Sequence, residues 1–210
     1  MTTGKQASFH PEVLLERLTF FSDAVFAIAM TLLVIEVRLP HLSRFSDGAL
    51  GQALLDIYPN FVGFVVSFLV IGRFWVGHHR VMGMLAATSN RLVWTNLFLL
   101  MAVAFMPFPT AIFSEYVQLR VGVGVYTGWL VVLGIANRLT ILSALRDRTL
   151  VLDDIDDATR RQQMRASWIP ILIGGSAFAA GMVTPLLSLA VLILGSPLIG
   201  RLVRVWAGRA

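Results

Sequence analysis

Residues 166–200 run for 35 positions without one charged side chain. As a single helix the run would reach about 52 Å at roughly 1.5 Å per residue, against a bilayer core of about 30 Å. It must therefore be two spans with a break between them. Gly181 and the pair Thr184-Pro185 supply the break, since threonine can cap a new helix and proline suits its first turn. Shorter runs repeat the pattern. Residues 57–72, 92–114 and 121–137 carry no charge, and residues 18–35 carry only Asp23. A spanning helix needs about 20 mostly apolar residues. The sequence thus predicts six helices, at about 18–39, 50–82, 90–114, 117–145, 162–182 and 185–206. The expected fold is an all-α integral membrane protein, a single six-helix domain over 1–210. Composition agrees. The chain is 57% hydrophobic and 14% charged, where soluble domains run at about 45–50% and 25%. That excludes an ordinary soluble enzyme. The absence of cysteine excludes a disulfide-stapled secreted scaffold.

The net charge of +5, from 17 basic and 12 acidic residues, is a topology signal. Lys and Arg gather on the cytoplasmic side of membrane proteins. With the N-terminus inside and six spans, Lys5, Arg17, Arg73, Arg80, Arg91, Arg138 and the eight arginines from Arg146 onward fall inside. Only Arg38, Arg44 and Arg120 fall outside, a split of 14 to 3. Both termini are therefore expected in the cytoplasm, and nucleic acid is not an expected partner. The first helix carries Asp23 and has no small-residue cleavage site, so it reads as a span and not a removable signal. The longest polar stretch, Ser143 to Arg165, is too short for a soluble domain. Its Asp153, Asp154, Asp156 and Asp157 lack the glycine turn and final glutamate of an EF-hand and read as a solvated loop.

Polar groups inside spans are costly and usually face protein or water. Asp23 lies one or two turns inside the inner end of the predicted first helix and needs a partner. Arg17 is too far round the helix to serve. Helix two ends Arg73-Phe74-Trp75-Val76-Gly77-His78-His79-Arg80, with Trp75 on the same face as His78 and His79. An Asp23–histidine contact, through either histidine, is expected at that depth, as an interhelical bond or as a pH-sensing pair. Asn96 lies level with them and is expected to join the network. Pro107 and Pro109 must disturb helix three near its outer end. Gly124 and Gly128 form a small-xxx-small pair that permits close helix approach. Trp94, Trp168 and Trp206 sit near span ends, as in an aromatic belt.

With Asp23 at 0° and about 100° per residue, Ile28 falls at about 140°, Thr31 at about 80°, Leu32 at about 180° and Ile35 at about 120°. These four share one face, roughly opposite Asp23. Periodicity alone leaves that face to lipid, to another helix or to an axis shared between subunits.

Arg17, followed after three residues by Phe21-Ser22-Asp23, resembles the signature of the transmembrane protein 175 family of potassium channels. The continuation Ala24-Val25-Phe26-Ala27-Ile28 is similar to that family. So are Phe74-Trp75 with His78-His79, and Asn96 followed by Pro107-Phe108-Pro109-Thr110. The resemblance covers residues 17–110, and the six-span count extends it over the chain. It implies a single-repeat, bacterial-type subunit that assembles as a homotetramer in the cell (inner) membrane. It implies that the first helix lines the pore, with Ile28, Leu32 and Ile35 as rings of a hydrophobic constriction and Thr31 as a hydroxyl layer. It also implies that Arg17, Phe21, Ser22 and Asp23 hold that helix in place, with Trp75, His78 and Asn96 as their partners. No Thr-Val-Gly-Tyr-Gly filter is present.

The expected function is a potassium-permeable cation channel of modest potassium-over-sodium selectivity. No cofactor, metal beyond the permeating potassium ion, or obligatory soluble partner is expected. Glu36 could raise the local cation concentration at the outer mouth or pair with Arg38. The competing reading is a proton-coupled secondary transporter using Asp23 and His78. An intramembrane enzyme is disfavoured, because Ser22 and Asp23 diverge by about 100° on a helix and no Gly-x-Ser-x-Gly or His-Glu-x-x-His motif is present.

Overall fold

The computed structural model describes residues 11–195, apart from 39, 43 and 193. It is all-helical. Five helical stretches among the described residues are long and apolar enough to cross a membrane: Glu12–Glu36, Tyr58–Met82, Asn90–Glu115, Arg120–Leu145 and Asp157–Val183. Helix resumes at residues 185–192 and 194–195. The rest of the expected sixth helix, with Trp206, lies outside the described residues.

Helix α1 (Pro11–Leu32) starts earlier than the apolar run suggests and passes into a 3-10 turn over Leu33–Glu36. Asp23 therefore lies about three turns from the start of the helix, not one or two. The expected second helix is two: α2 (Asp47–Asp56) and α3 (Tyr58–Met82). They part at Ile57, just before Pro59, whose missing N–H suits a first turn. Ser46 starts α2, its hydroxyl accepting from the Ala49 amide.

The expected third helix is also two, α4 (Asn90–Ala104) and α5 (Pro107–Glu115), with Ser89 capping α4 through the Leu92 amide. Proline chemistry accounts for the break. Pro107 offers no N–H to the Val103 carbonyl, which accepts from Met106 instead. That frees the Ala102 carbonyl, and the Trp129 indole donates to it at 3.0 Å. The Phe105 ring covers the same indole, with centroids 4.7 Å apart.

Helix α6 (Arg120–Leu145) packs against α4, α5 and the later α8 (Ile169–Val183), and more than half of its residues are buried. The last expected span before Thr184 begins early, as α7 (Asp157–Ala166), and turns at Ser167-Trp168 before α8 (Ile169–Val183), which carries Pro170 in its first turn. Arg138 reaches across that turn from α6. It donates to the Met164 carbonyl at 3.1 Å and the Ser167 hydroxyl at 2.7 Å, and lies 3.9 Å over the Trp168 ring. The small-xxx-small pair of α6 meets α8: a side chain on Gly124 would lie 3.1 Å from Met182 Cε. The proposed break after α8 is present. Thr184 is extended, and its hydroxyl accepts from the Leu187 amide at 3.3 Å.

Two apolar clusters hold the bundle. The larger joins Phe26 and Ala29 of α1, and Leu33 of the turn that follows it, to α3–α6. The smaller seals the end where Leu18, Val81, Leu92 and Leu145 meet the linkers. There the segment after α3 pairs with the segment after α6. Leu85 bridges Val151, Ala86 donates to the Leu150 carbonyl and Leu152 to the Met84 carbonyl. The acidic stretch supplies local structure: Asp156 caps α7 through Thr159, and Asp157 pairs with Arg160 at 3.1 Å. Arg160 in turn donates to the Leu145 carbonyl at the end of α6 at 2.8 Å.

Candidate functional site

Two faces of α1 decide what this helix can do. On one, Leu18, Ser22, Phe26, Ala29 and Leu33 recur at spacings of three and four and are buried against α3 and α4. On the other, Ile28 is 58% exposed, Leu32 41% and Ile35 63%. Thr31 shares the open face. Its hydroxyl donates back to the Ile28 carbonyl at 2.8 Å, which leaves the oxygen lone pairs as acceptors on that side. The four residues grouped by the helical wheel are thus on one side of α1, uncovered by the rest of the subunit.

The packed face is held by a chain of polar contacts. Ser22 donates to the Leu18 carbonyl at 2.8 Å and accepts from Asn96 Nδ2 at 2.9 Å. Asn96 Oδ1 lies 2.8 Å from His78 Nε2, so that nitrogen carries the proton. One buried amide of α4 therefore ties α1 to α3. The His78 ring packs on Phe26, with centroids 5.5 Å apart. Beside this chain, the Trp75 indole donates to Asp23 Oδ1 at 2.8 Å.

This corrects the expected Asp23–histidine pair. Neither His78 nor His79 is the hydrogen-bond partner of Asp23. His78 is committed to Asn96, and His79 stacks near Trp75, with centroids 5.7 Å apart. Trp75, which the family resemblance placed among the partners of this motif, is the donor. An apolar-bodied indole delivers one N–H without adding a second charge, which suits a carboxylate at this depth. The transporter reading loses its Asp23–His78 relay for the same reason. Arg17 and Phe21 are exposed and take no part in these bonds among the described residues. No ion pair joins Glu36 to Arg38 among the described residues.

Sequence reasoning missed a second polar cluster. Thr110 of α5 donates to Ser67 of α3 at 2.8 Å, and Ser67 lies 3.0 Å from the Tyr126 hydroxyl of α6. All three are buried. Each is a hydroxyl inside an uncharged run, a signal that stands out less than a carboxylate or imidazole. Gly63 allows Ser114 to approach, since a side chain there would collide with the Ser114 hydroxyl. Also missed was Asn60, whose amide donates to the Glu36 carbonyl at 3.3 Å. Among the described residues, no three His, Asp or Glu side chains gather to hold a metal ion.

Residues 17–107 match the family described as endosomal/lysosomal potassium channel TMEM175. A potassium channel of Chamaesiphon minutus is 41% identical over 138 residues, which span 64% of this chain and 68% of that protein. The chain belongs to the TMEM175 family. A potassium channel of Streptomyces collinus is 44% identical over 102 residues, 49% of this chain and 48% of that protein. The human member, named an endosomal/lysosomal proton channel, is 22% identical over 170 residues, covering 80% of this chain and 33% of the human protein. These TMEM175 relatives are ion channels, not enzymes. The fold agrees: the crystal structure of a lysosomal potassium-selective TMEM175 homologue from Chamaesiphon minutus superposes with a TM-score of 0.78. It is 29% identical, and the match covers 93% of this chain and 98% of that one. This TMEM175 member is accordingly a membrane protein.

Proposed function

We propose that the protein is a potassium-permeable cation channel in which α1 lines the pore of a homotetramer. The observation that carries this reading is the division of α1 into one face locked by Ser22, Phe26 and Leu33 and another, with Ile28, Leu32 and Ile35, left open by its own subunit. The bacterial relatives' naming as potassium channels gives that open face its use. Four copies around an axis would bring the Ile28, Leu32 and Ile35 rings together. Such rings offer no ligand to replace hydration water, and a narrow apolar constriction dewets and blocks conduction. A modest rotation or widening of the four helices opens it. Selectivity then comes from the cost of partly stripping hydration, which is lower for potassium than for sodium, and is modest. The free lone pairs of Thr31 supply acceptors beside the apolar rings. The expected setting is a bacterial inner membrane, with six spans and both termini in the cytoplasm. The proposed function calls for no cofactor and for no ion but the permeating potassium.

The test is flux in liposomes carrying an outward potassium gradient, with purified protein and with Ile28→Asn. A polar ring in place of an apolar one should raise potassium flux several-fold or relax selectivity against sodium. Flux that is robust in the native protein and indifferent to polar substitution at both Ile28 and Leu32 would overturn the pore assignment.

A further inference from the structure

Helix α3 carries an arginine where a span tolerates one poorly. Arg73 lies about 14 Å short of the helix end at Met82. Its side chain is exposed on the outside of the bundle, as is that of Arg80. Among the described residues, neither guanidinium forms an ion pair or a hydrogen bond. Asp23, level with Trp75, accepts from the Trp75 indole instead. A charge at this depth is costly and calls for a counter-charge.

The direction of the Arg73 side chain shows where the counter-charge belongs. Helical side chains ordinarily lean toward the helix N-terminus. Arg73 reaches the other way, toward the end of α3: a side chain on Gly77 would lie 3.7 Å from Arg73 Nη1. The bare helix surface at Gly77 gives the arginine stem a path along which it snorkels toward the membrane surface. Residues 73, 77 and 80 are spaced four and three apart, so Arg80 stands on the same side of the helix just beyond Gly77.

The two arginines border a groove of about 580 Å³ between α1 and α3. Met30, Phe68, Gly72 and Val76 line its apolar part. Gly72 keeps the floor low, since a side chain there would find only Met30 Sδ nearby, at 4.0 Å. Phe68 precedes Arg73 in α3, so the apolar part runs from the arginines toward the middle of the span.

We infer that this groove binds an anionic phospholipid, with its phosphate held by Arg73 and Arg80 and an acyl chain laid along Met30, Phe68 and Val76. Charge stands near the helix end and apolar side chains stand deeper, the order of headgroup and tail in a leaflet. Guanidinium forks match phosphate oxygens, and basic pockets between spanning helices bind acidic headgroups. Two arginines without a carboxylate favour a lipid of net negative charge over a zwitterionic one, whose ammonium they repel. Binding of this kind does not depend on which helix lines a pore.

Native mass spectrometry of the detergent-purified protein, with phosphatidylglycerol or phosphatidylcholine added, supplies the test. The native protein should retain phosphatidylglycerol several-fold more than phosphatidylcholine. Arg73→Gln combined with Arg80→Gln should abolish that preference. Arg91→Gln combined with Arg146→Gln removes the same charge elsewhere and should preserve it. Equal retention of the two lipids by the native protein overturns the inference. So does an equal loss in both double variants, which would mean diffuse attraction to a basic surface. Release of bound phosphatidylglycerol by millimolar inorganic phosphate overturns it in favour of a simple anion site. A lower subunit count for the Arg73 and Arg80 variant in lipid-free detergent overturns it in favour of a contact with a second copy of the chain. If that variant does not fold, brominated lipids decide. Brominated phosphatidylglycerol should quench tryptophan emission more than brominated phosphatidylcholine does, and Trp75→Phe should remove the difference, because Trp75 also lines the groove. Equal quenching by the two lipids overturns the inference.

Discussion

The two buried polar clusters of the bundle are built from similar parts and do different work. The cluster around Asn96 joins three helices and includes α1: Ser22, Asn96 and His78. The cluster around Ser67 also joins three helices, α3, α5 and α6, and leaves α1 out. Helix α1 is therefore fixed by side-chain bonds toward its Ser22 end. At its other end it is held by the packing of Leu33 and one bond to a backbone carbonyl. Ile28, Leu32 and Ile35 thus lie between the side-chain anchor at Ser22 and the Asn60 contact with the Glu36 carbonyl. The Ser67 cluster ties together α3, α5 and α6, and the first two of these frame the Leu33–Glu36 turn.

The largest effect expected from breaking this contrast follows Asn96→Leu. The substitution removes the acceptor of His78 and a donor to Ser22 at once, and leaves a buried imidazole without a partner. Interhelical hydrogen bonds in membranes contribute from about 0.6 to about 2 kcal/mol. Because one amide serves two helices here, a loss near the upper end, about 1–2 kcal/mol, is expected. It is read as a lower midpoint of thermal or denaturant unfolding in detergent. Conduction should change as well, because α1 loses its anchor. A variant of native stability with altered conduction, or the reverse, would separate the two roles that the geometry assigns to Asn96.

The opposite pattern is expected for Tyr126→Phe. Only the hydroxyl is lost, and Ser67 keeps its bond from Thr110. The cost should be about 0.6 kcal/mol, and potassium flux should match the native channel. Flux that falls with so small a loss of stability would show that the frame is not passive, and the contrast between the clusters would fail.

Legibility in the sequence followed the physical cost of each feature. Uncharged runs as long as a spanning helix leave few alternatives, so the places of the five spans found among the described residues were largely readable. The Pro107 break and the Thr184 cap were readable because proline lacks a donor and threonine supplies an acceptor. The partner of Asp23 was not readable. A carboxylate inside a span demands a donor, but Trp75 and His78 lie on one helix face and both can donate. Only the rotation of α3 against α1 chooses between them, and that rotation is set by packing across the whole interface. The 3-10 turn was hidden for a related reason: Leu33–Glu36 would also suit an α-helix, and tertiary contacts override so weak a preference. The early start of α1 at Pro11 was not readable because Glu12, Glu16 and Arg17 interrupt its first turns, so the uncharged run begins only at Leu18.

The smallest expected effect lies in the polar segment before α7 and checks that the clusters, not the loops, govern α1. The Thr159 hydroxyl, together with the Thr159 amide that donates to Asp156 at 2.9 Å, holds the Asp156 carboxyl below the usual value of 3.8. A depressed pKa means that the folded state favours the ionised form. The contribution of this cap is therefore fully present above the unfolded value and is lost as pH falls through the lower folded value. Between neutral pH and pH 5 nothing should change (the cap stays ionised throughout). Asp156→Ala should speed amide hydrogen exchange in the first turn of α7 at neutral pH, and acidification below about pH 4 should do the same in the native chain. Neither should alter potassium flux through Ile28, Leu32 and Ile35, because α7 packs chiefly on α6. A change in flux with Asp156→Ala would show that α7 biases α1 through the paired linkers at Leu85 and Val151, and the anchor of the pore helix would then extend beyond Asn96.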